Sequence, residues 1–143
     1  MDAAAFPSDY KNSNKIVKVV YSRPQLNGRN ITKLVPEGKM WRTSANQATE
    51  ITFYRDVKFG GKSVSAGTYS LFTIPGEKEW TIILSTAKTV GGAYFYNESE
   101  DVVRVKGKVS SSMAPIEAFS ITFDDDMNMY MGWGYTVVKV TIK

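Results

Sequence analysis

The 143-residue chain contains no cysteine and no histidine. The first absence excludes disulfides, thiolate nucleophiles and thiolate metal sites. The second removes the usual general base, every Ser-His-Asp or Cys-His arrangement, and the commonest ligand for zinc and copper. No cofactor and no metal centre is expected, and a catalytic role is disfavoured. No apolar run approaches the roughly twenty residues of a membrane span, and the opening residues are not expected to act as a signal peptide. Charge is not concentrated either. Eighteen Lys and Arg against 14 Asp and Glu give +4, spread along the chain, whereas nucleic-acid recognition needs a basic stripe.

What is present is a folded composition, 43% hydrophobic and 13% aromatic, too apolar for a disordered chain. The length fits one domain with one core. Period-2 alternation is the dominant pattern. Val17, Val19 and Tyr21 share one face of KIVKVVYSR, as Ile51 and Phe53 do in TEITFYRD. Trp80, Ile82 and Leu84 align in EWTIILS, and Val103, Val105 and Val109 oppose Arg104, Lys106 and Lys108. Phe119, Ile121 and Phe123 form another set, and Val138, Val140 and Ile142 a last one. In TYSLFTI both faces are partly apolar, with Tyr69 and Leu71 on one side and Ser70 and Phe72 on the other.

Turn residues separate these runs. Gly60-Gly61 reads as a tight hairpin, because a primed turn demands positive φ. Asn27-Gly28, Pro36-Glu37-Gly38, Ala66-Gly67, Pro75-Gly76 and Gly91-Gly92 mark further loops. The expected architecture is all-β: an antiparallel β-sandwich or barrel of about eight to ten strands, little helix, one domain over 15–143. Residues 1–14 are expected to be a loose N-terminal segment.

Three phrases carry a family resemblance: YSRP (Tyr21 to Pro24), LVPEGKMWRTSANQATEITF (Leu34 to Phe53) and AGTYSLFTIPGEKEWTIIL (Ala66 to Leu84). Together they resemble a bacterial family known as domain of unknown function 2911. Its members are common in Bacteroidetes and typically carry an export or lipoprotein signal. The resemblance runs from about Lys15 to the C-terminus and implies an exported, periplasmic or cell-surface β-rich domain. It implies no activity. Ser44 stands where many relatives have glycine, so that position either does not need positive φ or tolerates it here.

The polar, non-periodic segment GKMWRTSANQAT is the first candidate site. Trp41 offers a flat face, Arg42 a planar donor fork and Asn46 an amide, the means by which proteins hold a sugar or small carboxylated ligand. Tyr21 and Arg23 would join them if the two segments are neighbours. Against this stands a structural reading in which Trp41 plugs the core and Arg42 satisfies backbone carbonyls at an irregular corner. Trp133, between two glycines, is a further candidate, since glycine permits close approach by another group. The alternating Met127, Met129 and Met131 read as core.

Asp124-Asp125-Asp126 invites a calcium reading, but the sixth and twelfth positions hold Met129 and Tyr135 where a calcium loop needs Gly and Glu. A charged hairpin tip is the expectation there. No spacing selects a carboxylate pair for acid-base work, and neither glycine pair matches a phosphate-binding loop. The leading expectation is a non-catalytic envelope or secreted module binding a small molecule or glycan. The alternatives are a structural or protein-interaction domain and a carboxylate-dependent glycan-active enzyme.

Overall fold

The computed structural model describes residues 2–7, 15–28, 38, 49–86 and 101–143. Nine β-strands and no helix occur among them: β1 (Asp2–Phe6), β2 (Val17–Tyr21), β3 (Thr49–Phe53), β4 (Val57–Phe59), β5 (Lys62–Val64), β6 (Gly67–Ile74), β7 (Glu79–Ser85), β8 (Asp101–Phe123) and β9 (Met129–Val140). Seven form one antiparallel sheet in the order β1-β2-β3-β6-β7-β8-β9, and β4-β5 form a separate hairpin. The expected all-β, single-domain architecture is the one observed. No helix among the described residues is long and apolar enough to cross a membrane.

Side-chain alternation builds the core. Val17, Val19, Ile51, Leu71, Ile82 and Leu84 are completely buried on the concave face of the sheet, joined by Trp80, Phe119, Ile121 and Val138. Each such side chain contributes about 1.5–3 kcal/mol by leaving water. Phe72 and Ile83 point the other way and are also fully buried, so β6 and β7 are covered on both faces at their centre. The doubly apolar pattern of TYSLFTI reflects this.

Turn chemistry follows the glycines. Gly60 and Gly61 have φ of 57° and 86°, as a two-residue primed hairpin requires, and they join β4 to β5. This hairpin is anchored by the C-terminal residues: the Lys58 and Gly60 N–H groups donate to Lys143 O and Thr141 O, and Phe59 bridges Ile142.

One difference from expectation lies at the N-terminus. Asp2–Phe6, within the segment expected to be loose, pairs with β2 from Asp2↔Tyr21 to Phe6↔Val17. Ala4 and Phe6 pack against the core. Three consecutive alanines give no period-2 signal and little β propensity, so the pairing is set by tertiary context.

β8 shapes the molecule. Its first part, Asp101 to Lys108, pairs with β7, and the remainder, from Lys108 to Phe123, pairs with β9. The β8–β9 register breaks twice, between Ser111 and Ile116 and between Ile116 and Ser120. Bulges of this kind bend a strand and raise its twist. They carry the C-terminal third of β8 towards the chain that leaves β2, and the sheet curls into a nearly closed barrel.

Candidate functional site

The curled sheet closes where residues 21–26 meet residues 117–121 of β8. Antiparallel main-chain bonds begin the seam. Leu26 N donates to Glu117 O at 3.0 Å, Phe119 N donates to Pro24 O at 2.9 Å, and Gln25 bridges Ala118. Pro24 has no N–H, but here only its carbonyl is used. Beyond Pro24 side chains take over the ladder. Arg23 Nε donates to Phe119 O at 3.1 Å and a terminal guanidinium nitrogen donates to Ser120 Oγ at 2.9 Å. The Tyr21 hydroxyl accepts from Ile121 N at 3.1 Å and faces Ile121 O at 3.4 Å. The phrase YSRP is therefore a splice. Its backbone and then its side chains satisfy one edge of β8 from residue 117 to residue 121.

Trp133 completes the seam from the other side. In the second bulge, residues 117–119 of β8 stand opposite Trp133 alone. The indole is 3% exposed and its Nε1–H donates to Glu117 O at 3.0 Å. The Phe119 ring lies edge-on between Tyr21, at 5.7 Å and 86°, and Trp133, at 6.2 Å and 70°, a favoured aromatic geometry. The close neighbour that the flanking glycines admit is Ile116, whose Cδ1 would lie 2.7 Å from a Cβ on Gly132.

Three of the six candidate residues, Tyr21, Arg23 and Trp133, thus converge on one segment of β8. Trp133 is a core residue that plugs the bulge. Tyr21 is buried, and Arg23 is exposed and clamped to β8. Trp41, Arg42 and Asn46 lie outside the described residues. Carbonyl bracing by a guanidinium, considered for Arg42, is what Arg23 does.

Where the splice ends, the seam opens. β1 lies beside Ser120–Phe123 of β8 across a cleft of about 630 Å³. Ala3, Ala4 and Ala5 form one wall, and Ser120, Ile121, Thr122 and Phe123 the other. Tyr21, Arg23 and Lys15 complete the lining. Small alanine side chains keep the cleft wide, while Lys15 Nζ donates to Pro7 O and is held at its mouth. Among the described residues, the lining carries two cations, three hydroxyl groups and no carboxylate. Sequence reasoning reached Tyr21 and Arg23 but missed Lys15, Ser120 and Thr122. No local pattern signals them, because the partners lie about a hundred positions away.

The acidic run lies elsewhere and is self-contained. Asp124 accepts from the N–H groups of Asp126 and Asn128, from the Asn128 amide and from the Tyr130 hydroxyl. The Asn128 side-chain amide, with these other donors, holds the Asp124 carboxyl below the usual carboxylate range. This is the hairpin tip expected between β8 and β9. No group of acidic side chains suited to a metal ion occurs among the described residues.

The fold and seam define a single-domain, all-β protein built on one curled antiparallel sheet. Residues 6–142 match the family described as Protein of unknown function (DUF2911), and the chain belongs to that family. No curated protein and no solved structure matches the chain significantly.

Proposed function

We propose that the protein is a non-catalytic binding module of the bacterial envelope, and that its ligand is a small carboxylated molecule of the acidic-sugar class. The observation that supports this is the cleft beside the splice. A volume of about 630 Å³ lies within the range of small-molecule sites. Lys15 and Arg23 give it a positive field, the exposed Thr122 hydroxyl offers an orienting hydrogen bond, and Phe123 and the alanines supply apolar surface. The two cations favour an anion, and no acid-base pair for glycan hydrolysis stands among the described lining residues.

Calorimetric titration with glucuronate and galacturonate, against glucose as neutral control, tests the reading. Binding of the acids should exceed that of glucose at least tenfold. Lys15→Glu and Thr122→Trp should each abolish it, the first by reversing a charge and the second by filling the cleft from an exposed position. Equal affinity for neutral and acidic sugars, or full binding by both variants, would sink the proposal.

A further inference from the structure

A second feature lies in the first bulge of β8. Ser111 pairs with Thr136 and Ile116 with Gly134, so Ser112, Met113, Ala114 and Pro115 stand opposite the single residue Tyr135. Four residues against one force the backbone out of the sheet as an arch. Pro115 has no N–H to give to a ladder, and Ser112 Oγ donates to Ala114 O, closing the arch on itself. Met113 at its crown is fully exposed, and Tyr135 across from it is 60% exposed.

The arch has a cationic base. Lys108 of β8 stands directly opposite Lys139 of β9, three residues behind the Ser111↔Thr136 pair. At ~3.4 Å per residue, the two ammonium-bearing positions lie about 10 Å from the arch. Period-2 geometry puts Tyr135, Val137 and Lys139 on one face of β9, beside Lys106, Lys108 and Ser110 of β8. Two like charges directly opposite each other disfavour the isolated fold. Glu79 of β7 pairs with Lys108 on its other side, and Lys139 Nζ lies 5.9 Å from the Tyr130 ring. Near the arch, the Glu117 carboxylate accepts from Asn27 N.

We infer that this tip docks on an anionic lipid surface, with Met113 and Tyr135 entering the headgroup layer and Lys108 and Lys139 meeting lipid phosphates. Shape decides the occupant. Met113 stands fully exposed, neither of the two described clefts is lined by the arch, and five residues fall far short of the roughly 800 Å² per partner that a stable protein interface buries. A bilayer needs no complementary shape. It accepts an apolar tip flanked by cations, and neither part alone gives firm attachment.

The absence of cysteine makes the test direct, because a single introduced thiol can be labelled selectively. Met113→Cys, carrying an environment-sensitive fluorophore, is mixed with vesicles of phosphatidylcholine alone or with one third phosphatidylglycerol. Ser63→Cys, on exposed β5, is the control. The label at 113 should brighten and shift to the blue with anionic vesicles only, and the label at 63 should not respond. In a vesicle pull-down, Lys108→Gln/Lys139→Gln should lower partitioning about thirtyfold, and 1 M salt should abolish it. Met113→Ser should lower it by about tenfold or more at unchanged melting temperature.

No response at 113, the same response to both vesicle types, or a response at both positions would overturn the inference. A blue shift that grows with protein concentration without vesicles would place a second copy of the chain on the tip, and would overturn it as well.

Discussion

Removing the Tyr21 hydroxyl is the sharpest perturbation of the seam. Tyr21→Phe keeps the ring, its edge-on contact with Phe119 at 5.7 Å and its burial at 4% exposure. Only the oxygen is lost. That oxygen is the partner of Ile121 N at 3.1 Å and lies 3.4 Å from Ile121 O, both in buried surroundings. Without it a buried N–H has no acceptor, which costs about 1–3 kcal/mol. In a domain of this size that lowers Tm by roughly 3–12 °C. Tyr69→Phe is the internal comparison, because its hydroxyl donates to Ser65 O in a part-buried setting and its loss costs about 0.5–1.5 kcal/mol. Urea denaturation of the three proteins gives the ranking, and amide hydrogen exchange at Ile121 gives the location. Tyr21→Phe should be the least stable, with Ile121 the amide that loses most protection. A Tyr21→Phe protein within about 0.5 kcal/mol of wild type, or one with Ile121 still fully protected, would refute closure through the hydroxyl.

Two further outcomes follow from the same geometry. A Cβ on Gly107 would lie 2.6 Å from Val138 Cγ1 and 2.7 Å from Ile82 Cδ1, so Gly107→Ala should destabilise by about 1–3 kcal/mol through overpacking, read by urea denaturation. The Asp124 carboxyl has a lowered folded-state pKa, mainly through Asn128. Its contribution is present above the unfolded carboxylate value near pH 4 and is lost as pH falls through the folded value. The stability gap between wild type and Asp124→Ala should therefore be constant from about pH 7 to 5 and shrink below about pH 4. A gap independent of pH down to about 2 would contradict this.

The strands were legible wherever one face is wet. Val17, Val19 and Tyr21, or Trp80, Ile82 and Leu84, announce their buried side because their neighbours are polar. β1 was not legible, because alanines carry no such contrast. Nor was the length of β8, since the alternating pattern stops at Val109 and resumes only at Phe119, yet Ser110 and Ser111 stay in register with β9 and the strand continues to Ser120 through two bulges. Part of the candidate site was visible in YSRP, whose Tyr21 and Arg23 were candidates as neighbours of the Trp41 segment. Its role was not, because a splice exists only once Phe119 and Ile121, about a hundred residues on, are brought alongside. Trp133 shows the opposite case. Flanking glycines suggested access for a ligand, and the space is taken by Ile116 and the indole itself.

The cleft can be tested in one measurement that reports on every residue at once. Titrating ¹⁵N-labelled protein with galacturonate should produce saturable amide shifts concentrated at Lys15, Tyr21, Ser22, Arg23 and Ser120 to Phe123, on both sides of the open seam. No saturable shifts, or shifts that cluster away from β1 and the C-terminal end of β8, would contradict the binding role.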